Sequence, residues 1–156
     1  MNHPNAALLA RLFSALNQHD PEVMASCYHP AATFEDIAFR LNRREEIHDM
    51  WRMICLGESE ISVTFEIVQA DDHIGYVRAV DKYKFGPARR PVINIIDSHF
   101  SFQEDLIIKH HDLCDPHAWA SAAIGGVNGF IAGRVPLVRR FMAHRKLKKW
   151  VKRNPR

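Results

Sequence analysis

From residue 61 onward the chain changes from a helical to a strand period. Ile61, Val63, Phe65 and Ile67 alternate with other side chains, the two-residue step of a strand with one face buried. This predicts a strand over 61–70 and a second over 74–85, joined across Asp71, Asp72 and His73. Gly86 and Pro87 then turn the chain into two further apolar runs, 92–102 and 106–115, whose three-residue separation predicts a hairpin. Alternation along 106–115 sends His110, Asp112 and Cys114 to one face and Lys109, His111 and Leu113 to the other. If the first face lines a cavity, His110 and Asp112 form a titratable pair that the cavity can tune.

Before residue 61 the spacing is helical. Leu8, Leu9, Leu12, Phe13 and Leu16 recur at three- and four-residue steps over 4–17. Asp20 and Pro21 restart a helix with Val23, Met24, Cys27 and Tyr28 as its apolar steps, and His29-Pro30 ends it. Residues 33–36 read as extended, with Phe34 and Asp36 on one face. A third helix is predicted over 44–56, carrying Ile47, Met50, Trp51, Ile54 and Cys55 and stopping at Gly57. Three helices followed by a meander of long strands predict an α+β domain in which a curved antiparallel sheet wraps the N-terminal helices.

After Asp115 the pattern changes again. A helix is expected over 119–124, Gly125, Gly126, Gly129 and Gly133 break the next stretch, and Pro136 opens a last helix with Leu137, Val138, Phe141 and Met142 as its apolar face. Beyond His144, basic residues fall all round that helix and fraying is expected. The domain reading is therefore 1–124 for the body and 125–156 for a basic helical extension.

Composition narrows the class. At 156 residues, 25% charged and 47% apolar, the chain suits one globular domain. Cys27, Cys55 and Cys114 are odd in number and lack metal-type spacing, which fits a reducing compartment. No basic-then-apolar leader is visible, and the uncharged stretch 118–133 is short and glycine-rich for a membrane span, so a cytoplasmic location is expected. Charge is polarised: residues 1–115 hold 11 Lys/Arg against 18 Asp/Glu, and residues 116–156 hold 10 Lys/Arg and no acid. The tail is thus expected to dock on an acidic body, its own or a partner's, or on a membrane surface. Nucleic acid is disfavoured because only Phe141 and Trp150 interleave the cations.

Several strings resemble a known family: residues 27–36 (Cys-Tyr-His-Pro-Ala-Ala-Thr-Phe-Glu-Asp), Glu46-Ile47 through Met50-Trp51-Arg52-Met53, and Lys109-His110-His111-Asp112. Over about residues 5–124 the chain resembles the nuclear-transport-factor-2-like superfamily, in its SnoaL-like, ketosteroid-isomerase-like branch. The resemblance implies a cone with an apolar pocket at its open end, commonly dimeric through the sheet. It spans isomerases, polyketide cyclases, epoxide hydrolases and proteins that only bind. Phe34-Glu35-Asp36-Ile37 resembles the string that carries the isomerase base, which places Asp36 there. The isomerase oxyanion-hole residues are replaced by Leu12 and Ser98, and Asp97 lies on the opposite strand face, so steroid isomerisation is not expected. His110-His111-Asp112 resembles the cyclase string, making Asp112 the candidate general acid/base. Epoxide hydrolases of the superfamily need an Arg-x-Asp on a neighbouring strand, and 92–102 has no arginine, which argues against that chemistry.

Each candidate also has a plain structural reading. Asp112 and His110 suit an acid/base pair or a hydrogen-bonded closure of the sheet. Asp36 suits a second carboxylate or a turn residue. Asn94 and Ser98 share a face with Ile96 and Phe100, and suit ligand hydrogen bonds or internal ones. Tyr28, Trp51, Phe100 and Trp119 suit a ligand wall or the core. A metal site on His99, His110 and Asp112 is disfavoured: if the hairpin pairs Phe102 with Leu106, parity puts His99 on the other face from His110. No phosphate loop, nucleophile elbow or CxxC occurs, and no cofactor is expected. Two readings follow: a cofactor-independent isomerase or cyclase acting by acid/base chemistry on a small apolar or cyclic carbonyl compound, or a non-catalytic ligand-binding or scaffold module whose basic tail docks on a partner or membrane.

Overall fold

Three helices start where an acceptor side chain precedes a proline. The structure, a computed structural model, describes residues 2–156. His3 accepts from Asn5 N–H at the head of α1 (Pro4–Asn17), Asp20 from Val23 N–H at α2 (Pro21–Ser26), and Asp115 from His117 and Ala118 N–H at α4 (Pro116–Ala123). Each acceptor satisfies N–H groups that the first turn leaves without a partner. A further helix, α3 (Arg44–Leu56), ends at Gly57, as its spacing predicts.

The sheet has six strands: β1 (Tyr28–Glu35), β2 (Arg40–Leu41), β3 (Ser62–Ala70), β4 (Ile74–Phe85), β5 (Arg90–Gln103) and β6 (Leu106–Leu113). Their order is β2-β1-β6-β5-β4-β3. The sheet is curved and unclosed, and α1 to α3 fill its concave side. β1 pairs parallel with β6, with Phe34 beside His110 and Glu35 beside His111, so the sheet is mixed where a wholly antiparallel one was expected. The same pairing corrects Tyr28. α2 stops at Ser26, and Tyr28 opens β1 opposite Ile107 instead of closing a helix.

The β5–β6 hairpin differs from expectation in one useful way. Its loop has two residues, Glu104 and Asp105, both at positive φ (53° and 61°), with Gln103 opposite Leu106. That is the primed turn whose twist matches the strands. One residue is then extra on β6: Phe102 faces Ile107 and Ser101 faces Lys109. This bulge lets both Ile107 and His110 point inward, although they are an odd number of steps apart. Beyond it the predicted parity holds, with Phe100 opposite His110 and Ser98 opposite Asp112.

The core lies on the concave face, where Leu9, Met24, Tyr28, Ile47, Val77 and Ile107 are each fully enclosed. Gly75 permits this closeness: a Cβ there would stand 2.9 Å from both Leu9 Cδ1 and the Phe102 ring. On the convex face Ile93 and Ile95 stay exposed.

The C-terminal segment corrects the sequence reading at three points. Gly125, at φ 71°, separates α4 from α5 (Gly126–Arg134) as expected, but Gly129 and Gly133 do not break the chain and instead permit α5 to lie on α4. A Cβ at Gly129 would stand 2.8 Å from Ala120 O, and one at Gly133 3.2 Å from His117 Cα. Nor does the last helix, α6 (Pro136–Arg153), fray beyond His144. Its cations leave a clear stripe in which Leu147 joins the core cluster and Ala143 and Val151 pack against it. Arg52 covers the Trp150 ring at 5.1 Å, and Arg156 grips Asp49 at 2.8 and 3.0 Å. This stripe sets the rotation of α6, so the expected apolar face points outward, with Leu137 80% and Phe141 66% exposed, while Arg139 is buried. Among the described residues, no helix is long and apolar enough to cross a membrane.

Candidate functional site

Three strands bring the candidate residues to one end of the concave face. Ser98 on β5 and Asp112 on β6 are opposite one another, His110 lies one same-face step before Asp112, and Tyr28 arrives from β1. The side chains form one hydrogen-bonded line. Trp51 Nε1–H donates to Tyr28 Oη at 3.2 Å, and Tyr28 Oη lies 2.8 Å from His110 Nδ1. His110 Nε2 lies 2.7 Å from Asp112 Oδ1, which also receives the Ser98 hydroxyl at 2.5 Å.

One proton assignment satisfies every atom on this line. Tyr28 already accepts from Trp51, so its own O–H donates to Nδ1, and Nε2–H donates to the Asp112 carboxylate. A second proton on the imidazole would leave the enclosed Tyr28 hydrogen without an acceptor. The line therefore holds His110 as its Nε2–H tautomer and aims it at Asp112. Full enclosure of Tyr28 drives its hydroxyl pKa well above the ordinary value.

Two further carboxyls converge here. The parallel register of β1 and β6, continued by one step, sets Asp36 beside Asp112. Asp36 Oδ1 accepts from Ala38 and Phe39 N–H at 2.7 and 2.6 Å, so it shapes the loop after β1. Burial nonetheless raises its pKa to about 6, against those two bonds, with the Asp112 charge adding to the rise. Asp81 on β4 faces the same interior, and burial together with the Asp112 charge raises it to about 7. Cys114 continues the inward face of β6 beside Asn94, with its thiol pushed up by burial to about 11.

A cavity of about 20 Å³ is lined by Asp81, Ser98, His110 and Asp112 on the polar side and by Leu12, Met24 and Trp51 among its apolar walls. That volume suits about one water molecule. Phe100 lies tilted against His110, 4.3 Å between ring centres, and meets Phe13 edge to face. Trp119 on α4 lies further out, donating to Tyr83 Oη at 2.7 Å. Above it α6 crosses the same end of the cone: Arg139 donates to Ile37 O at 3.0 Å, and Lys146 sits 4.6 Å from the centre of the Phe85 ring.

The structure thus brings together Asp112, His110, Ser98, Tyr28 and Trp51, with Asp36 alongside. Asn94, Cys114 and Trp119 form an outer tier. Phe100 is part of the core behind His110, and His99 faces outward, stacked on Tyr76 at 4.9 Å. Asp81 and Tyr83 escaped the sequence reading. Their signal was available, since Val77, Ala79, Asp81 and Tyr83 alternate on one face of β4 and an acid in such a row is unusual.

A family model described as the SnoaL-like domain matches residues 9–110. The chain belongs to the SnoaL-like domain family. No curated protein matches it in sequence. Among solved structures it is similar to TsrD from Streptomyces laurentii, at 17% identity and a TM-score of 0.67, covering 79% of this chain and 96% of that one. It is similar also to a candidate SnoaL-like polyketide cyclase from Jannaschia (16% identity, TM-score 0.67, 79% of this chain and 93% of that one). An LEH-like epoxide hydrolase from M. tuberculosis matches at 15% identity and a TM-score of 0.63, covering 82% of this chain and 95% of that one. At such identities the likeness speaks to the fold, and it does not separate cyclase from epoxide hydrolase relatives.

Proposed function

We propose that this SnoaL-like protein is a cofactor-independent isomerase or cyclase that moves protons on a small apolar or cyclic carbonyl compound. The observation that carries the reading is Asp112 Oδ1, which closes a buried line through His110, Tyr28 and Trp51. A carboxylate whose neighbour is locked in one tautomer is positioned to accept a proton and return it. Asp81 complements it, because burial raises its pKa to about 7 and lets it hold a proton near neutral pH. A buried carboxylic acid that keeps its proton can donate a hydrogen bond beside a general base. In this scheme Asp112 removes a proton from the carbon next to a carbonyl, His110 orients the carboxylate, and Asp81 donates to the developing oxyanion. Asp36 is the second carboxyl at the margin, while Asn94 and Trp119 face the substrate's outer end.

The rival reading, a binding or scaffold module, draws on the cavity. At about 20 Å³ it holds no organic substrate until Trp51 or a neighbouring side chain moves. Hydrogen–deuterium exchange at the α-carbon of cyclic ketones in D2O, followed by NMR, separates the two. The enzyme reading expects the protein to accelerate exchange for at least one compound. Saturable binding with exchange at the solvent rate throughout the panel would make the protein a binder.

We also propose that residues 125–156 are an addition to the family domain, since the matched segment ends at residue 110, and that two copies pair through the convex sheet face around Ile93 and Ile95, 68% and 66% exposed.

A further inference from the structure

The outward face of α5 and α6 combines exposed apolar side chains with cations that mostly lack a carboxylate partner among the described residues. Val127, Phe130, Leu137 and Phe141 are between 59% and 80% exposed, on the two helices either side of the Val135 turn. Water-facing side chains of this size are costly unless something covers them. The exposed line of α6 then continues in three- and four-residue steps as cations, from Leu137 and Phe141 to Arg145, Lys148, Lys149 and Lys152. Of the ten Lys/Arg after Asp115, only Arg140 and Arg156 pair with a carboxylate among the described residues. Arg134 lays its guanidinium 3.5 Å from the centre of the Phe130 ring and donates to Phe130 O at 3.4 Å, which sets a cation beside that exposed ring.

We propose that this face docks on an anionic lipid bilayer, with Phe130, Leu137 and Phe141 entering the headgroup boundary and the lysines of α6 lying on the headgroups. The apolar side chains project from helix turns, 59% to 80% exposed, and a bilayer accepts projecting side chains where a protein partner would need a matching groove. The charge of the face is supplied largely by lysine, which is depleted in protein interfaces but common on helices lying in a membrane surface. Anionic headgroups attract such a run of cations over a Debye length, and the apolar turns then give the contact depth. The opposite side of α6 remains free to hold the molecule, because Ala143, Leu147 and Val151 face the core. The orientation also follows: α6 covers the end of the cone that contains Asp81 and Asp112, so a docked molecule turns that end toward the bilayer.

The full chain is tested by co-sedimentation with phosphatidylcholine vesicles, with and without phosphatidylserine. Binding is expected only to the phosphatidylserine vesicles, and it should fall in high salt. The double substitution Leu137→Ser/Phe141→Ser should weaken it by at least about tenfold, and Lys148→Glu/Lys149→Glu should weaken it and flatten its salt dependence. All four side chains are exposed, so the thermal midpoint should hold in both variants and report that they fold. Failure of the wild-type chain to bind phosphatidylserine vesicles overturns the proposal. So does binding that Leu137→Ser/Phe141→Ser leaves unchanged, since the contact would then be electrostatic alone. A wild-type oligomer that the same substitution dissociates, with no vesicle binding, would assign the face to a second copy and overturn it equally.

Discussion

Two donors converge on one carboxylate oxygen at Asp112, and the residues behind them have no freedom to choose other partners. Tyr28 is the hinge of that constraint, since it accepts from Trp51 and donates to His110 in a fully enclosed position. Tyr28→Phe should cost about 1–3 kcal/mol, because it leaves two buried nitrogens without partners while keeping the ring. A denaturant titration checks this, and a change well below that range would mean that a water replaces the hydroxyl. Asp81 yields a prediction in pH. Its folded pKa of about 7 exceeds the unfolded value of about 3.9, so between the two the folded state holds more proton. Stability contributed by this group is therefore present at low pH and lost as pH rises through that window. Asp81→Asn should raise the thermal midpoint little near pH 4 and by several degrees near pH 8. A gain independent of pH would show that Asp81 is already ionised in the fold.

At the scale of elements, helix–helix closeness at α4 and α5 depends on a missing side chain. Ala is the better helix former by about 1 kcal/mol, yet a Cβ at Gly129 meets the Ala120 carbonyl at 2.8 Å, a backbone atom that cannot step aside. Gly129→Ala should therefore lower the thermal midpoint, and a rise would show that α5 shifts at no cost. For α6 the decisive residue is Leu147, 7% exposed. Leu147→Ala should cost about 2–5 kcal/mol, the range for emptying a packed leucine site, as read by denaturant unfolding. These elements also mark what the sequence could not disclose. The periods of α1, α3, β3, β4 and β5 are local signals, and their boundaries agree with the structure to within about two residues. The local spacing of Tyr28 is helical, and nothing in its neighbourhood records its partner on β6, far along the chain. The face of α6 was misread because Leu137 and Phe141 advertise an apolar stripe, whereas Ala143, Leu147 and Val151 are spaced among lysines and arginines.

For the molecule as a whole, the candidate site was legible where it lay on one hairpin and obscure where it needed the sheet. His110, Asp112 and Ser98 follow from strand parity, which survived the bulge at Ile107 and Lys109 because it closes before His110. The hydroxyl of Tyr28 joined them only through β1, which pairs with β6 far along the chain, and Asp81 only through the register of β4 on β5. The proposed sheet-face dimer is checked by sedimentation at micromolar concentration, where Ile93→Lys/Ile95→Lys should yield a monomer. The central claim is that Asp112 carries the proton. Its most direct test compares Asp112→Asn with Asp36→Asn in α-carbon deuterium exchange of a ketone that the wild-type protein turns over. Asp112→Asn should slow exchange by about 10²–10⁴ while Asp36→Asn, a loop-shaping residue, slows it far less. Exchange by Asp112→Asn within about tenfold of the wild-type rate would contradict the account.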